Sequence, residues 1–288
     1  MRIDSAIVGT ELPERTRTVD WRQTTNYAAA IGDDNPHYLD DARPEGIVAP
    51  PVFPVVITWP IVTGVGEQLP EALSPELMMT MVHGREHLIV HRPVRPGDQL
   101  ILRSQVAAVV PVRAGTLVVL RIAGLAAGAP VFTEFTAGLL RGVECPDGGR
   151  GGEELPAVPE PRAEAGSLWR AEVAIERRTP YLYDGCTDIV FAIHTSRSFA
   201  QMVGLPDILL QGTVTLALAV REIVNREAGG DPLLISEIAC EFRAPVIPGT
   251  AIAVELQARQ GEHCHFRVVN AEGKDAIRGG YLRLTAEA

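Results

Sequence analysis

Hydrophobic and polar positions divide this chain into two stretches of similar design, separated by a segment with no apolar period. In TTNYAAAIGDDNPHYLDD, residues 24 to 41, a helix-compatible run ends at Gly32. That glycine can serve as a left-handed cap, and Asn35-Pro36 starts a turn or a second helix. In the following GIVAPPVFPVVITWPIVTGVG, Ala49-Pro50-Pro51 cannot be helix interior. The pattern from Val55 suits a buried helix or strand, and Pro60 counts against a long helix. From Met79 to Leu140 the pattern becomes that of several strands, punctuated by Pro96-Gly97-Asp98, Gly115 and Gly128. A helical segment followed by a meander of strands predicts an α+β arrangement.

Residues 144 to 166, dense in Gly, Pro and Glu, read as a linker. The organisation expected is therefore a unit over 1–143, the linker over 144–166 and a second unit over 167–288. The second unit repeats the first in outline. A strand-like SLWRAEVAIERR precedes YLYDGCTDIVFAIHTSRSFAQMVGLPDILLQ, which reads as a loop placing His194 beside a short helix. A strongly apolar helix, GTVTLALAVREIVNREAG, follows, and LLISEIACEF, TAIAVELQARQ and HCHFRVVNAEGKDAIRGGYLRLTA supply strands. HRPVRPGDQL at 91 to 100 matches RAPVIPGTAI at 243 to 252, each copy a similar distance after its helix. The chain thus reads as two copies of one helix-plus-sheet unit.

Composition excludes more than it assigns. With 46% hydrophobic and 22% charged residues among 288, the chain falls in the globular range and can bury a sizeable core. A net charge of -10 argues against nucleic acid as main partner, since phosphate binding needs clustered Arg and Lys. Cys145, Cys186, Cys240 and Cys264 form no CxxC pair, so reduced thiols are expected instead of a zinc ribbon or disulfide framework. The N-terminus does not have the pattern of a signal peptide, and no apolar run reaches the roughly 18 residues of a spanning helix, so a cytoplasmic location without membrane contact is expected. His83, His87 and His91 are spaced by four, which on a helix would suggest metal ligands, but REHLIVHRPV alternates like a strand. His263 and His265 likewise share one strand face. No metal site is expected.

YAAAIGDDNPHYLDD and YDGCTDIVFAIHTSRSFAQMVGLPDILLQGTVT resemble the MaoC-like hydratase family, whose motif runs Gly-Asp-x-Asn-Pro-(aliphatic)-His. The resemblance covers nearly the whole chain. It implies a double hot-dog fold, in which two units, each a long antiparallel sheet around a central helix, pack as a pseudo-dimer. It also implies acyl thioester substrates, with coenzyme A present as part of the substrate and no separate cofactor. A thioester of coenzyme A or of an acyl carrier is the partner expected; association into a homodimer stays open. Neither copy of the motif is complete. Gly32, Asp33, Asn35 and Pro36 match in the first, but Tyr38 stands at the histidine position and His37 comes one residue early. In the second His194 matches, while Ile189, Phe191 and Ala192 replace the aspartate, asparagine and proline.

That division favours one chemistry over another. Hydrating an enoyl thioester needs one group to deprotonate water and another to protonate the α-carbon, and Ile189 and Phe191 can do neither. Asp188 could substitute through a one-residue bulge; otherwise it is a solvated loop carboxylate. Hydrolysing a thioester needs only a polarised carbonyl and a positioned water. Gln211-Gly212-Thr213, where the family usually has His-Gly, can supply helix N-terminal N–H groups. The sequence therefore favours an acyl-CoA thioesterase, with His194, Asp33, Gln211, Gly212 and Asp188 as candidate catalytic groups. Asn35, Tyr38, Thr213 and Phe191 are expected to contact substrate. An (R)-specific enoyl thioester hydratase or dehydratase is the alternative, and a non-catalytic acyl-thioester-binding subunit a third reading. The structural alternative for Asp33 and Asn35 is that they merely cap a helix and fix a loop.

Overall fold

A computed structural model describes residues 1–161 and 166–285. The first unit runs β1 (Glu11–Thr18), α1 (Trp21–Ala30), α2 (Pro36–Leu39), α3 (Pro54–Thr63), α4 (Val65–Gln68), α5 (Pro75–Met78), β2 (Met81–Val90), β3 (Gln99–Val112), β4 (Gly115–Ala126) and β5 (Ala129–Arg141). The second runs β6 (Trp169–Ala174), α6 (Thr179–Thr187), α7 (Arg197–Met202), α8 (Gly212–Glu227), β7 (Ile235–Phe242), β8 (Ala251–Gln260), β9 (His263–Val269) and β10 (Asp275–Leu284). One ten-stranded antiparallel sheet results, in the order β1-β3-β4-β5-β2-β7-β10-β9-β8-β6. Each half has the same internal order, and β2 and β7 join edge to edge. This is the double hot-dog arrangement.

Backbone hydrogen bonds fix the correspondence between the halves. Gly97 N–H donates to the Val19 carbonyl at 2.8 Å, and Gly249 N–H to that of Ile175 at 2.7 Å. Val48 N–H donates to the His37 carbonyl and Ala49 N–H to that of Val94; in the second unit Leu209 pairs with Ile193 and Leu210 with Val246. Pro50 and Pro51 therefore correspond to Gln211 and Gly212, and Tyr38 to His194. Tyr27 corresponds to Tyr183, and these rings pack edge-on at 5.8 Å where α1 meets α6. That contact lies on the pseudo-two-fold axis.

The central helices differ in length for local reasons. α8 runs 16 residues with its apolar positions buried from Thr213 to Val220 and again at Ile223 and Val224. α3 has ten residues and contains Pro60, so the proline does not exclude a helix here. It follows Pro54 at the helix start, and the chain turns at Gly64 one residue past the end, so little helix remains to be disrupted. The segment after β5 is more than a tether. Arg150 and Val109 exchange two backbone hydrogen bonds of 2.9 Å, and Asp147 accepts from the N–H and hydroxyl of Ser5. The part of the expected linker over 162–165 lies outside the described residues. All four cysteines are unpaired. No helix among the described residues is long and apolar enough to cross a membrane.

Because β2 and β7 are adjacent strands of one sheet, the two units should unfold together. Ile238, fully buried on β7 at this seam, is a direct probe. Ile238→Ala should cost about 2–4 kcal/mol, within the range for large-to-small core changes, in one cooperative denaturant transition. Two separated transitions would show that the units fold independently.

Candidate active site

His194 ends a short 3-10 turn, Ala192–His194, just before α7. Its Nδ1 lies 2.8 Å from the Leu209 carbonyl oxygen. A carbonyl only accepts, so Nδ1 carries the proton and Nε2 is left with its lone pair. Burial holds the imidazole below its ordinary range, outweighing the opposite effect of the Leu209 carbonyl. The ring is therefore a neutral potential base near pH 7. Phe191 packs edge-on against it at 6.3 Å, and Phe199 packs on Phe191.

Leu209 leads directly into α8. Gln211 is the N-cap residue, and instead of capping the helix its side chain donates from Nε2 to the Pro180 carbonyl at 3.0 Å. Val214 and Thr215 N–H groups turn back to the Gln211 carbonyl. The N–H groups of Gly212 and Thr213 are thus left free among the described residues, at the positive end of a 16-residue helix. A neutral imidazole is thus tied through Leu209 to the chain that opens α8, three residues before Gly212 and its uncommitted N–H. The first unit lacks the first of these donors, because Pro51, which corresponds to Gly212, has no N–H.

Other expected members do not join. Asp33 lies beside Arg221, whose Nη1 donates to the Ile31 and Gly32 carbonyls at 2.8 and 3.0 Å. Arg221 is ten residues along α8 from Gln211, about 15 Å of helix rise. The two halves of the divided motif are therefore held apart, not reunited. Desolvation raises the Asp33 carboxyl above its usual range. Asn35 caps α2 by accepting from His37 N–H, and its Nδ2 donates to the Gly230 carbonyl at 2.7 Å. The loop-fixing reading of Asn35 is what the geometry realises. Tyr38 is buried, its hydroxyl raised by desolvation and the nearby Asp33. Gly32, Asp33, Asn35, His37, Arg221 and Gly230 border an open polar cleft of their own.

Asp188 does not stand in for the missing aspartate. It is exposed, in the left-handed region at φ 56°, and ends α6 by donating its N–H to the Asp184 carbonyl. Ile189 is buried at the aspartate position. The Thr213 side chain turns inward toward Tyr183. The Tyr27, Tyr183 and Thr213 hydroxyls influence one another, yet none completes a well-aligned hydrogen bond. Phe191 stays half-exposed beside the imidazole, where it can contact a ligand.

Motif spacing misses the wall contributed by the first unit. The Phe242 ring lies 3.0 Å from where a Cβ on Gly212 would stand, His83 packs on that ring at 4.5 Å, and Trp59 lies 6.5 Å from His83. Phe242 reaches α8 within the second unit, and only the seam between β2 and β7 brings His83 of the first unit, with Trp59 beside it, to that ring, so no local signal announces them. The histidines 83, 87 and 91 are on or just past a strand and bond elsewhere, His87 to Glu237 at 2.6 Å and His91 to Thr133 at 3.1 Å. His263 and His265 both lie against Tyr281. No metal-binding group of three such side chains occurs among the described residues.

Known proteins resemble both halves. A model described as "FAS1-like, dehydratase domain region" matches residues 6–134, and one described as "MaoC like domain" matches residues 167–278. The 3-hydroxyacyl-thioester dehydratase Y of Mycobacterium tuberculosis is 29% identical over 208 residues, 68% of this chain and 69% of that protein. The peroxisomal multifunctional enzyme type 2 of Drosophila melanogaster is 28% identical over 131 residues, 45% of this chain, and the match spans only 21% of the relative's own length. A MaoC-like dehydratase from Phytophthora capsici superposes with a TM-score of 0.81 over 98% of both chains at 20% identity, a likeness of fold.

The ionisation of His194 is directly measurable. Proton–nitrogen correlation spectra of histidine-labelled protein should show the Nδ1–H tautomer at neutral pH and a midpoint below about 6.5. Because the folded value is depressed, this histidine stabilises the fold above its unfolded pKa, and that stability is lost as pH falls through the folded value. A midpoint at or above 6.5 would refute the burial argument.

Proposed function

Because the chain belongs to the MaoC-like double hot-dog family, we propose that it adds water to a 2-enoyl thioester, or removes it from the 3-hydroxyacyl thioester, at the N-terminus of α8. The observation that carries this reading is the neutral His194 imidazole, with Nε2 free to accept a proton, next to the free N–H groups of Gly212 and Thr213. The dehydratase relatives support it over the hydrolysis that the divided motif favours by itself.

In the hydration direction, the thioester carbonyl accepts hydrogen bonds from the Gly212 and Thr213 N–H groups, which stabilise the enolate oxygen as it gains charge. His194 Nε2 takes a proton from water as the water oxygen bonds to C3, and the C2=C3 electrons move toward the carbonyl. The same imidazolium then returns its proton to C2, restoring neutral His194. One group acting twice meets the requirement for a base and an acid without a carboxylate. Gln211 and Phe191 border the site, and Asp33, Asn35, Tyr38 and Asp188 take no part. Coenzyme A or an acyl carrier enters as the thiol portion of the substrate.

Thioester hydrolysis is a second reading, favoured by one observation: the buried Ile189 leaves no motif carboxylate beside His194. Following enoyl absorbance and free thiol in parallel on a panel of 2-enoyl- and saturated acyl-CoA esters separates the two. Loss of enoyl absorbance without thiol release is expected, and His194→Ala should lower kcat/KM about 10²–10⁴-fold. Thiol release from saturated esters would establish hydrolysis instead, and unchanged rates in His194→Ala would remove the imidazole from the mechanism.

A further inference from the structure

Behind Phe242 and His83, the concave face of the first unit's sheet carries a polar cluster that the proposed reaction does not use. Glu86 of β2 is registered against Thr136 of β5, and Leu88 against Glu134. The period-two alternation of strands puts these four side chains on one face, toward α3. Glu86 and Glu134 are each 1% exposed. His83 Nε2 lies 3.0 Å from Glu86 Oε2 and 3.1 Å from Thr136 Oγ1, and Thr58 of α3, whose hydroxyl donates to the Pro54 and Val55 carbonyls, adjoins Glu134. The two carboxyl groups are within hydrogen-bonding reach of each other, yet Glu86 Oε1 and Glu134 Oε2 have no completed partner. Two carboxylates cannot donate to one another, so the pair holds at least one proton. Burial pushes Glu86 up to about 8 and Glu134 well above its usual range, and holds His83 down at about 4.

Keeping such groups in a core is costly compared with apolar residues of similar shape. The second unit shows that the fold does not require it. By the strand registers and helix anchors, Ile235, Ile238, Leu282 and Ala219 stand where the first unit has His83, Glu86, Thr136 and Thr58. The Gly279-Gly280 bulge stands opposite the position of Glu134. The corresponding space beside Pro50 and Pro51 is an apolar cavity bordered by Val90, Phe132 and Ile235.

Placement ties the cluster to the site. The His83 side chain is 18% exposed and stands between the half-buried rings of Trp59 and Phe242, and the fully buried carboxyl pair adjoins it through Glu86. The cluster therefore begins one aromatic ring away from the first residue of α8. Building on the thioester reading above, we infer that His83, Glu86 and Glu134 form the polar end of the acyl-binding channel, and that the acyl chain carries a hydroxyl group beyond the reacting carbons which bonds to the carboxyl pair. A proton shared by two carboxyls makes them donor and acceptor at once, which matches a hydroxyl. An alkyl terminus would leave both orphan oxygens unsatisfied, and a carboxylate would bring a further negative charge.

Calorimetric binding of saturated six- and eight-carbon acyl-CoA esters tests this, because saturated chains cannot be hydrated. Unsubstituted, terminally hydroxylated and terminally carboxylated members should be compared, with free thiol monitored. The hydroxylated esters should bind about tenfold more tightly than the unsubstituted ones, the increment of one well-made buried hydrogen bond. In Glu86→Leu/Glu134→Leu that advantage should vanish while the melting temperature holds or rises; Glu86→Gln, closer in shape, should reduce it. Equal affinity for all three classes in the unaltered protein, preference for the carboxylated ester, or an undiminished hydroxyl preference in the double variant would overturn the inference. Binding without hydroxyl preference sinks this inference alone, whereas no ester binding at all would sink the thioester reading as well.

Discussion

The pairing of β2 with β7 is the interaction on which the rest of the molecule depends. Five registered residue pairs, centred on His87 opposite Ala239, join two five-stranded sheets into one. The same pairing brings the Tyr27 and Tyr183 rings together on the pseudo-axis and sets His83 of the first unit against Phe242, the ring that covers Gly212 within the second. Without it each unit would expose a sheet edge, and the N-terminus of α8 would face solvent with no wall from the first unit.

Duplication permitted the two halves to diverge while the frame stayed fixed. The first copy keeps Asp33 and Asn35 but sets Pro51 where the second has the Gly212 N–H, and its polar loop serves structure through Arg221 and Gly230. The second copy keeps the imidazole and the helix N-terminus but fills the aspartate and asparagine positions with Ile189 and Phe191. The core diverges in the opposite sense: the first unit buries a His-Glu-Glu cluster where the second packs isoleucine, leucine and alanine. Active-site polarity and core polarity thus sit on different units, and the seam places them side by side.

Much of this was legible beforehand. The α+β class, the two-copy organisation, the strands after Met79 and the pairing of Pro93-Val94 with Pro245-Val246 follow from period, turn residues and repetition, each a property of neighbouring positions. The family resemblance singled out His194 and Gly212 for the same reason, since both lie in one short stretch at the start of one helix. Pro60 counted against a long helix, and α3 does end three residues after it, because a proline near the end of a short helix has little helix left to break. The placement of Asp33 beside Arg221 was not legible, because a matched motif says nothing about which end of α8 it meets.

The sequence by itself determined the repeated unit, its strands and central helices, and the presence of one intact imidazole, because these depend on contacts within about twenty residues. Only the tertiary structure decided that Asp33 and His194 belong to different ends of α8, that Asp188 is a helix cap, and that Glu86 and Glu134 share a buried site behind Phe242. Those outcomes depend on strand register across β2, β5 and β7, which brings together residues up to about 150 positions apart. A shift of register by one residue would turn each of those side chains to the opposite face.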